Sequence, residues 1–264
     1  MENSYICIYM RITFFGTGTS FGVPVIGCHC PVCRSTDPRD RRFRTSALIE
    51  AEGQNILIDA GPDFRSQMLR SGTEHLDAIL LTHHHKDHTG GLDDVRALNF
   101  LERRSLPIFC EQYVQKSLKM EYSYAFDSAK IYPGSPRFQL ETVSPDKPFA
   151  VNGVEVVPVR AFHGRLPILG FRIGKIGYVT DASSIPDEEF EKLLGVEVFV
   201  VNCVSHRPHP SHFGLDQALE VIERVGAKKS FITHISHALP KYEEFAATLP
   251  EGVFPAHDML SVEV

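Results

Sequence analysis

Along this 264-residue chain the apolar residues fall into short blocks, each closed by glycine, proline or a polar residue. Blocks of four to eight residues rich in Ile, Val, Leu and Phe read as strands, several of them too uniformly apolar to face water. The pattern predicts strands over 12–15, 45–51, 55–59, 77–81, 106–110, 154–159, 168–173, 176–180, 196–201 and 230–233. Four of these pair as hairpins, one turning at Glu52-Gly53-Gln54 and the other at Gly174-Lys175. Periods near 3.6 predict helices over 62–71, opened by Pro62, and over 92–101, 111–119, 186–194 and 215–225. The segment 120–148 carries Tyr122, Tyr124, Phe126, Tyr132 and Phe138, and is either a cover over the core or a substrate-facing insertion. Nothing resembles an interdomain linker, so the expectation is one α/β domain over 1–264.

The chemistry lies in how the strands end. The run 77–81 leads through Thr82 into His83, His85, Asp87 and His88, spaced two, two and one, and then Gly90-Gly91. Four ligand-type side chains on a strand-to-helix loop suit a metal centre better than a polar turn. His84 gains no role from this spacing. Later apolar runs end at His163, Asp181 and His234, and strands that finish along one sheet edge would bring such residues together. Five imidazoles and two carboxylates suit two borderline divalent ions such as zinc, manganese or iron, with a carboxylate and a hydroxide able to bridge them. Asp59, at the tip of 55–59, is placed to brace a ligating imidazole from behind.

The chain has six cysteines. Cys28, Cys30 and Cys33 form a Cys-x-Cys-x-x-Cys insertion at 27–33, three corners of a tetrahedral structural zinc site whose fourth ligand comes from elsewhere. His29, between them, is not nominated. Cys7, Cys110 and Cys203 stand alone in apolar runs and read as small buried side chains. Hydrophobic residues at 43%, charged residues at 23% and a net charge of −6 describe an ordinary globular surface. That charge offers no electrostatic reason for nucleic-acid or membrane binding. No apolar run approaches the ~20 residues of a membrane span, and no signal-peptide pattern is present, so a cytoplasmic location is expected. Residues 1–9 read as an extension of the first strand or an artefact of start-site choice. Gly16, Gly18 and Gly22 favour a tight turn over a contribution to an active-site rim, and as a phosphate cradle they lack the Lys-Ser/Thr ending of a P-loop. The five arginines and two aspartates of 34–44 favour a solvated loop over a device that draws in anionic substrate.

The His83-x-His85-x-Asp87-His88 pattern resembles the signature of the metallo-β-lactamase superfamily. Together with Gly16-Thr-Gly18, Gly22-Val-Pro24, the cysteine insertion and Thr233-His-Ile-Ser-His237, it makes the chain resemble, nearly end to end, PhnP-like phosphoribosyl cyclic phosphodiesterases. The resemblance implies an αββα sandwich of two packed mixed sheets with helices outside and the site at one edge between them. It implies that His83, His85 and His163 hold one ion, that Asp87, His88 and His234 hold the other, and that Asp181 bridges. It also implies that His237 completes the zinc site of Cys28, Cys30 and Cys33. His212 matches a family histidine that faces the phosphodiester, and joins Asp87 and Asp181 as a catalytic candidate; His206 and His209 read as exposed loop residues. The expected activity is metal-dependent hydrolysis of a small phosphodiester, cyclic ones included, with no nucleic acid or membrane as partner and a homodimer left open. Alternatives are an RNA phosphodiesterase similar to tRNase Z, a thioester or lactone hydrolase, and a non-catalytic PqqB-like metal-binding protein. A diiron redox branch is disfavoured, since it puts Glu where His85 stands. On this reading the thiol site is independent of the histidine centre, so Cys30→Ser lowers stability and leaves the other ions in place.

Overall fold

The computed structural model describes residues 10–264, so the readings of residues 1–9 and Cys7 fall outside the described residues. Strands β1 (Met10–Gly16), β2 (Ser46–Ala51), β3 (Gln54–Ile58), β4 (Ala78–Leu80), β5 (Leu106–Cys110) and β6 (Phe138–Thr142) lie side by side in that order. A second sheet holds β7 (Phe149–Val151), β8 (Val154–His163), β9 (Leu166–Ile173), β10 (Ile176–Val179), β11 (Val198–Asn202), β12 (Lys229–Thr233) and β13 (Val253–Pro255), again in chain order. The last strand, β14 (Ser261–Glu263), returns to the first sheet and pairs antiparallel with β1.

Each sheet begins with antiparallel hairpins and continues with parallel strands. The hairpin turns Glu52-Gly53 and Asn152-Gly153 place both central residues at positive φ, the conformation that follows the right-handed strand twist. Parallel neighbours need crossovers, and these supply the helices: α1 (Phe64–Ser71), α2 (Lys86–Thr89), α3 (Arg96–Glu102), α4 (Gln112–Glu121) and α5 (Ser123–Phe126) on the first sheet's side, then α6 (Leu215–Val225) and α7 (Tyr242–Ala246) on the second's.

The period-two alternation of the strands builds the layers. Ile56 and Ile58 of β3 point between the sheets, where they join Phe14, Ile49 and Leu80 and meet Val156, Phe171, Tyr178 and Val200 from the other sheet. Leu57, between them, points outward and packs with Phe64, Met68, Leu92 and Leu118 of the covering helices. On β11, Val198 and Val200 face inward, while Phe199 and Val201 face Ala218, Ile222 and Phe245. Both faces of the central strands are therefore covered, which is why their sequences are unbroken apolar runs. Complete burial of each such side chain contributes roughly 1.5–3 kcal/mol. The expected αββα sandwich is the fold of this chain.

Several elements differ from expectation. The helix over 92–101 is a 3-10 turn at Leu92–Val95 followed by α3, and the helix over 186–194 is 3-10 throughout Asp187–Leu193. The segment 120–148 supplies α5 and β6, and Tyr122, Tyr124, Phe126 and Phe138 pack on the outer core of the first sheet, so it is a cover. The arginine-rich stretch is not simply a solvated loop. Arg42 and Asp40 are buried, and the Arg42 guanidinium donates to Thr17 Oγ1 at 2.8 Å and to the Ala256 carbonyl at 2.6 Å. Gly16 and Gly18 serve close packing against this stretch: a Cβ on Gly16 would lie 2.0 Å from the Arg44 carbonyl oxygen. Among the described residues, no helix is long and apolar enough to cross a membrane.

Candidate metal centre

Parallel pairing aligns the carboxyl ends of β3 and β4 in one sheet and of β10, β11 and β12 in the other, and the two edges face each other. Asp59 follows β3, the His83–His88 segment follows β4, Asp181 follows β10 by one residue, and His234 follows β12 directly. His163 ends β8. The two edges are also tied directly, the Leu169 amide donating to the Thr82 carbonyl at 3.0 Å. Asp59, Asp181 and His234 share an unusual backbone, with φ of 61°, 60° and 53°. Left-handed φ is strained for residues with a Cβ and persists where the surrounding structure over-determines it. Here three strands turn abruptly at their ends and thereby aim side chains into the gap.

The centre is buried: His83, His88, Asp59, Asp181 and His234 are almost wholly removed from solvent, while His85, Asp87 and His163 are half-buried. Asp59 organises the first side of it. His88 Nδ1 donates to Asp59 Oδ2 at 2.7 Å, and the Thr82 hydroxyl donates to the same oxygen at 2.9 Å. Thr82 Oγ1 in turn accepts from His83 Nδ1 at 2.9 Å. One carboxylate thus sets the tautomer of two imidazoles and leaves the Nε2 lone pair of each directed away from it. His163 is fixed in the same way, Nδ1 donating to the Ser211 carbonyl at 2.6 Å.

The freed atoms converge. His88 Nε2 lies 3.3 Å from Asp87 Oδ2 and 3.2 Å from Asp181 Oδ2, and His234 Nε2 lies 3.0 Å from Asp181 Oδ1. Yet among the described residues His83 Nε2, His88 Nε2 and both nitrogens of His234 have no hydrogen-bond partner. Donor atoms that approach within 3.3 Å without hydrogen-bond geometry point at a common centre rather than at each other. Asp87, His88, Asp181 and His234 form one such set, and His163, Asp181 and His212 a second that shares Asp181. The rings of His83, His85 and His163 close the remaining side, with centroids 4.6, 5.1 and 5.7 Å apart. The charge balance also calls for cations. Burial disfavours the charged imidazolium of His88, but Asp181, Asp59 and Asp87 together outweigh it and hold its pKa well above the ordinary value, so that without an ion a proton takes the Nε2 position an ion would occupy. Burial likewise opposes ionisation of Asp181, and His234 and His88 overcome it, holding this carboxyl well below its usual range. A divalent ion supplies the charge and the ligand geometry that these groups lack.

His212 stands at the mouth, its ring stacked on His234 at 4.8 Å and tilted 4.5 Å from His163, with Nδ1 3.8 Å from Asp181 Oδ1. Burial, then the neighbouring His234, pushes its pKa down to about 3, so the ring is neutral at neutral pH. His206 and His209 are exposed on the same loop. Asn202 was not singled out from the sequence. Its Oδ1 accepts from the Ala182 amide at 2.7 Å and its Nδ2 donates to the Ala182 carbonyl at 3.0 Å, pinning the turn after Asp181. The signal was present, since Asn202 is a polar residue ending an apolar strand. Thr82 and the Ser211 carbonyl carried no such signal.

The thiol cluster lies apart from this gap. His237 Nδ1 is 3.2 Å from Cys28 Sγ and 3.5 Å from Cys30 Sγ and Cys33 Sγ. One nitrogen cannot hydrogen-bond three sulfurs, but a tetrahedral zinc ion separates sulfur and nitrogen ligands by about 3.5 Å. The four residues fit such an ion.

Residues 54–235 match the family model of the β-lactamase superfamily domain. The chain belongs to the metallo-β-lactamase superfamily. A crystal structure of a new diphosphatase from the PhnP family is 40% identical, with a TM-score of 0.90 over 97% of both chains. A protein of Porphyromonas gingivalis named octanoyltransferase is 44% identical over 253 residues, which is 95% of this chain and 51% of that protein; the chain thus spans about half that relative's length. Zinc-bound PqqB from Methylobacterium extorquens shares the fold, with 16% identity and a TM-score of 0.77 over 96% of this chain and 100% of that one.

Proposed function

We propose that the protein hydrolyses a small phosphodiester or related phosphoric ester at a dinuclear metal centre. The observation that carries the reading is the convergence of unpartnered imidazole nitrogens on the shared Asp181 carboxylate. His83, His85 and His163 would hold one ion, Asp87, His88 and His234 the other, with Asp181 between them. Bound divalent ions of the zinc, manganese or iron type would supply Lewis acidity toward a phosphoryl group and acidify water.

The remaining work falls to the chain. Asp59 keeps His83 and His88 in the tautomer that offers Nε2, directly and through Thr82. Asn202 and the left-handed turn at Asp181 hold the shared carboxylate in place. His212, on a loop beside the gap with Nδ1 3.8 Å from Asp181 Oδ1, would hydrogen-bond a phosphoryl oxygen or the departing oxygen. The buried floor of the gap excludes bulk water, which strengthens these interactions. The kinship with a PhnP-family diphosphatase supports phosphoric ester chemistry and adds the P–O–P anhydride to the candidate substrates.

A second reading, hydrolysis of thioesters, draws on the octanoyltransferase name. That name belongs to a protein about twice as long, whose other half this chain does not match. The test is a panel of bis-p-nitrophenyl phosphate, cyclic nucleotides, diphosphate esters and acyl thioesters, each with added manganese or zinc. The expected result is turnover of phosphoric esters and none of thioesters; the reverse preference overturns the proposal.

A further inference from the structure

Four consecutive residues join the two ligand clusters. His234, at φ 53°, reaches Asp181 through Nε2, and three residues later His237 faces Cys28, Cys30 and Cys33. Three residues reach roughly 10 Å when extended, so there is little slack to absorb movement at either end. The two residues between are anchored as well. The Ile235 amide donates to the Thr17 carbonyl at 2.8 Å, and Ile235 pairs with Gly18 in the turn that leads to the cysteine insertion. The Ser236 hydroxyl donates to the Val204 carbonyl and accepts from the Ala238 amide at 3.1 Å. Val204 is the root of the loop that carries His212, a loop closed by the bridge between Ser205 and Gly214. The far end of the thiol cluster is fixed to the body by Val23, which exchanges backbone hydrogen bonds with Arg42 at 2.9 and 2.7 Å, and by the Val25 amide on Cys33 Sγ.

His234 therefore sits in a strained backbone conformation that its own strand does not enforce. The restraint comes from residues 235–237 and, through His237, from whatever holds the three thiols together. We propose that the thiol cluster and the histidine centre bind their ions cooperatively, with residues 234–237 as the lever and Ser236 as a positioning residue. Filling the thiol site locks His237, which holds His234 at its left-handed φ with Nε2 toward Asp181 and steadies the base of the His212 loop. By reciprocity, an ion at His234 favours closure of the thiol site by the same factor. The two clusters are then one linked device, not two independent sites. The inference rests on the reading of His234 as a ligand, and its test does not depend on any substrate.

The test is cobalt(II) or zinc titration of the metal-stripped 264-residue chain, followed by calorimetry and by the cobalt visible spectrum, in which thiolate and imidazole–carboxylate sites differ. In Cys30→Ser, the expected affinity of the histidine centre falls by about tenfold or more. Ser236→Ala leaves both ligand sets intact and is expected to weaken the same site severalfold, with the cobalt spectrum of that site altered. Asp87→Asn is expected to speed loss of the ion from the thiols to a chelator. Circular dichroism identifies a variant that fails to fold, and Ser236→Ala then carries the result. A histidine centre whose affinity is indifferent to both Cys30→Ser and Ser236→Ala overturns the coupling alone. A native protein that takes up no ion outside the thiols overturns the ligand reading and the coupling with it.

Discussion

The thiol cluster and the histidine centre are built on opposite principles. Three of the four thiol-site ligands lie within six residues on one loop, and all four are half-buried. The histidine centre draws on five separate strand ends from two sheets, its floor is buried, and three of its residues stand at strained left-handed φ. The first draws its three thiols from local chain geometry and only His237 from a distant element. The second exists only once both sheets have docked, and of its three strained turns the one at His234 is restrained by residues 235–237. One consequence is where rigidity comes from. At the thiols it would come from a bound ion, whereas at the histidine centre much of it is present without one, in Asp59, Thr82, Asn202 and the Ser211 carbonyl.

The contrast can be broken experimentally, beginning with the largest effect. Asp181→Asn removes the charge shared by both halves of the histidine centre. Activity is expected to fall on the order of a thousandfold, with loss of ions measured by elemental analysis and the thiol-site ion reduced only to the extent of the coupling. Full activity with two ions retained sinks the role of Asp181. Asp59→Asn keeps every ligand but no longer fixes the imidazoles of His83 and His88. A loss of about 10- to 100-fold in metal affinity or turnover is expected, and an unchanged affinity would mean that those imidazoles hold their tautomers without Asp59.

Removal of metal sharpens the comparison further. An ion present at a thousand times its dissociation constant stabilises the folded chain by about 4 kcal/mol. Exhaustive chelation should therefore lower the unfolding temperature. The fall should be larger in wild type than in Cys30→Ser, which has less bound metal to lose. Equal falls in the two proteins would show that the thiol site contributes nothing to folding.

The smallest effect belongs to the loop beside the thiols. The Arg39 side chain and amide bonded to Asp37 hold that carboxyl down to about 2 from an ordinary 3.8. Because the folded value is the lower one, its stabilisation is present above pH 3.8 and is lost as pH falls through about 2. Asp37→Asn should lower stability slightly near neutral pH and converge with wild type below pH 2 in acid-unfolding curves. Parallel curves down to that pH would remove Asp37 from the account of loop stability.

Much of this was legible in the chain because the relevant signals are local. The His83-x-His85-x-Asp87-His88 spacing and the three clustered thiols mark themselves. The strand ends at Asp59, His163, Asp181 and His234 are visible as polar residues closing apolar runs. The partly legible case is Asn202, a polar residue that obeys the same strand-end rule although it was not singled out. Thr82 and Ser211 were not legible, since one contributes a bridging hydroxyl and the other a backbone carbonyl, which every residue possesses. The arginine-rich stretch misled because charge in a sequence reads as exposure. Arg42 is buried because Asp258, Thr17 and Ala256, distant in sequence, surround it in the fold.

By itself, then, the sequence determined the strand alternation, the sandwich with both sheet faces covered, and which side chains are available as ligands. The strands and the ligand candidates follow from periodicity and residue type, which are properties of neighbouring residues, whereas the sandwich was implied by the resemblance to the metallo-β-lactamase superfamily. Only the tertiary structure decided that Asp59 braces two imidazoles and that His212 closes over Asp181. It also decided that His234 and His237 are the two ends of one short lever between the clusters. Those relations depend on parallel register between strands, on left-handed turns at their ends and on hydrogen bonds from backbone atoms, none of which leaves a mark on residue type.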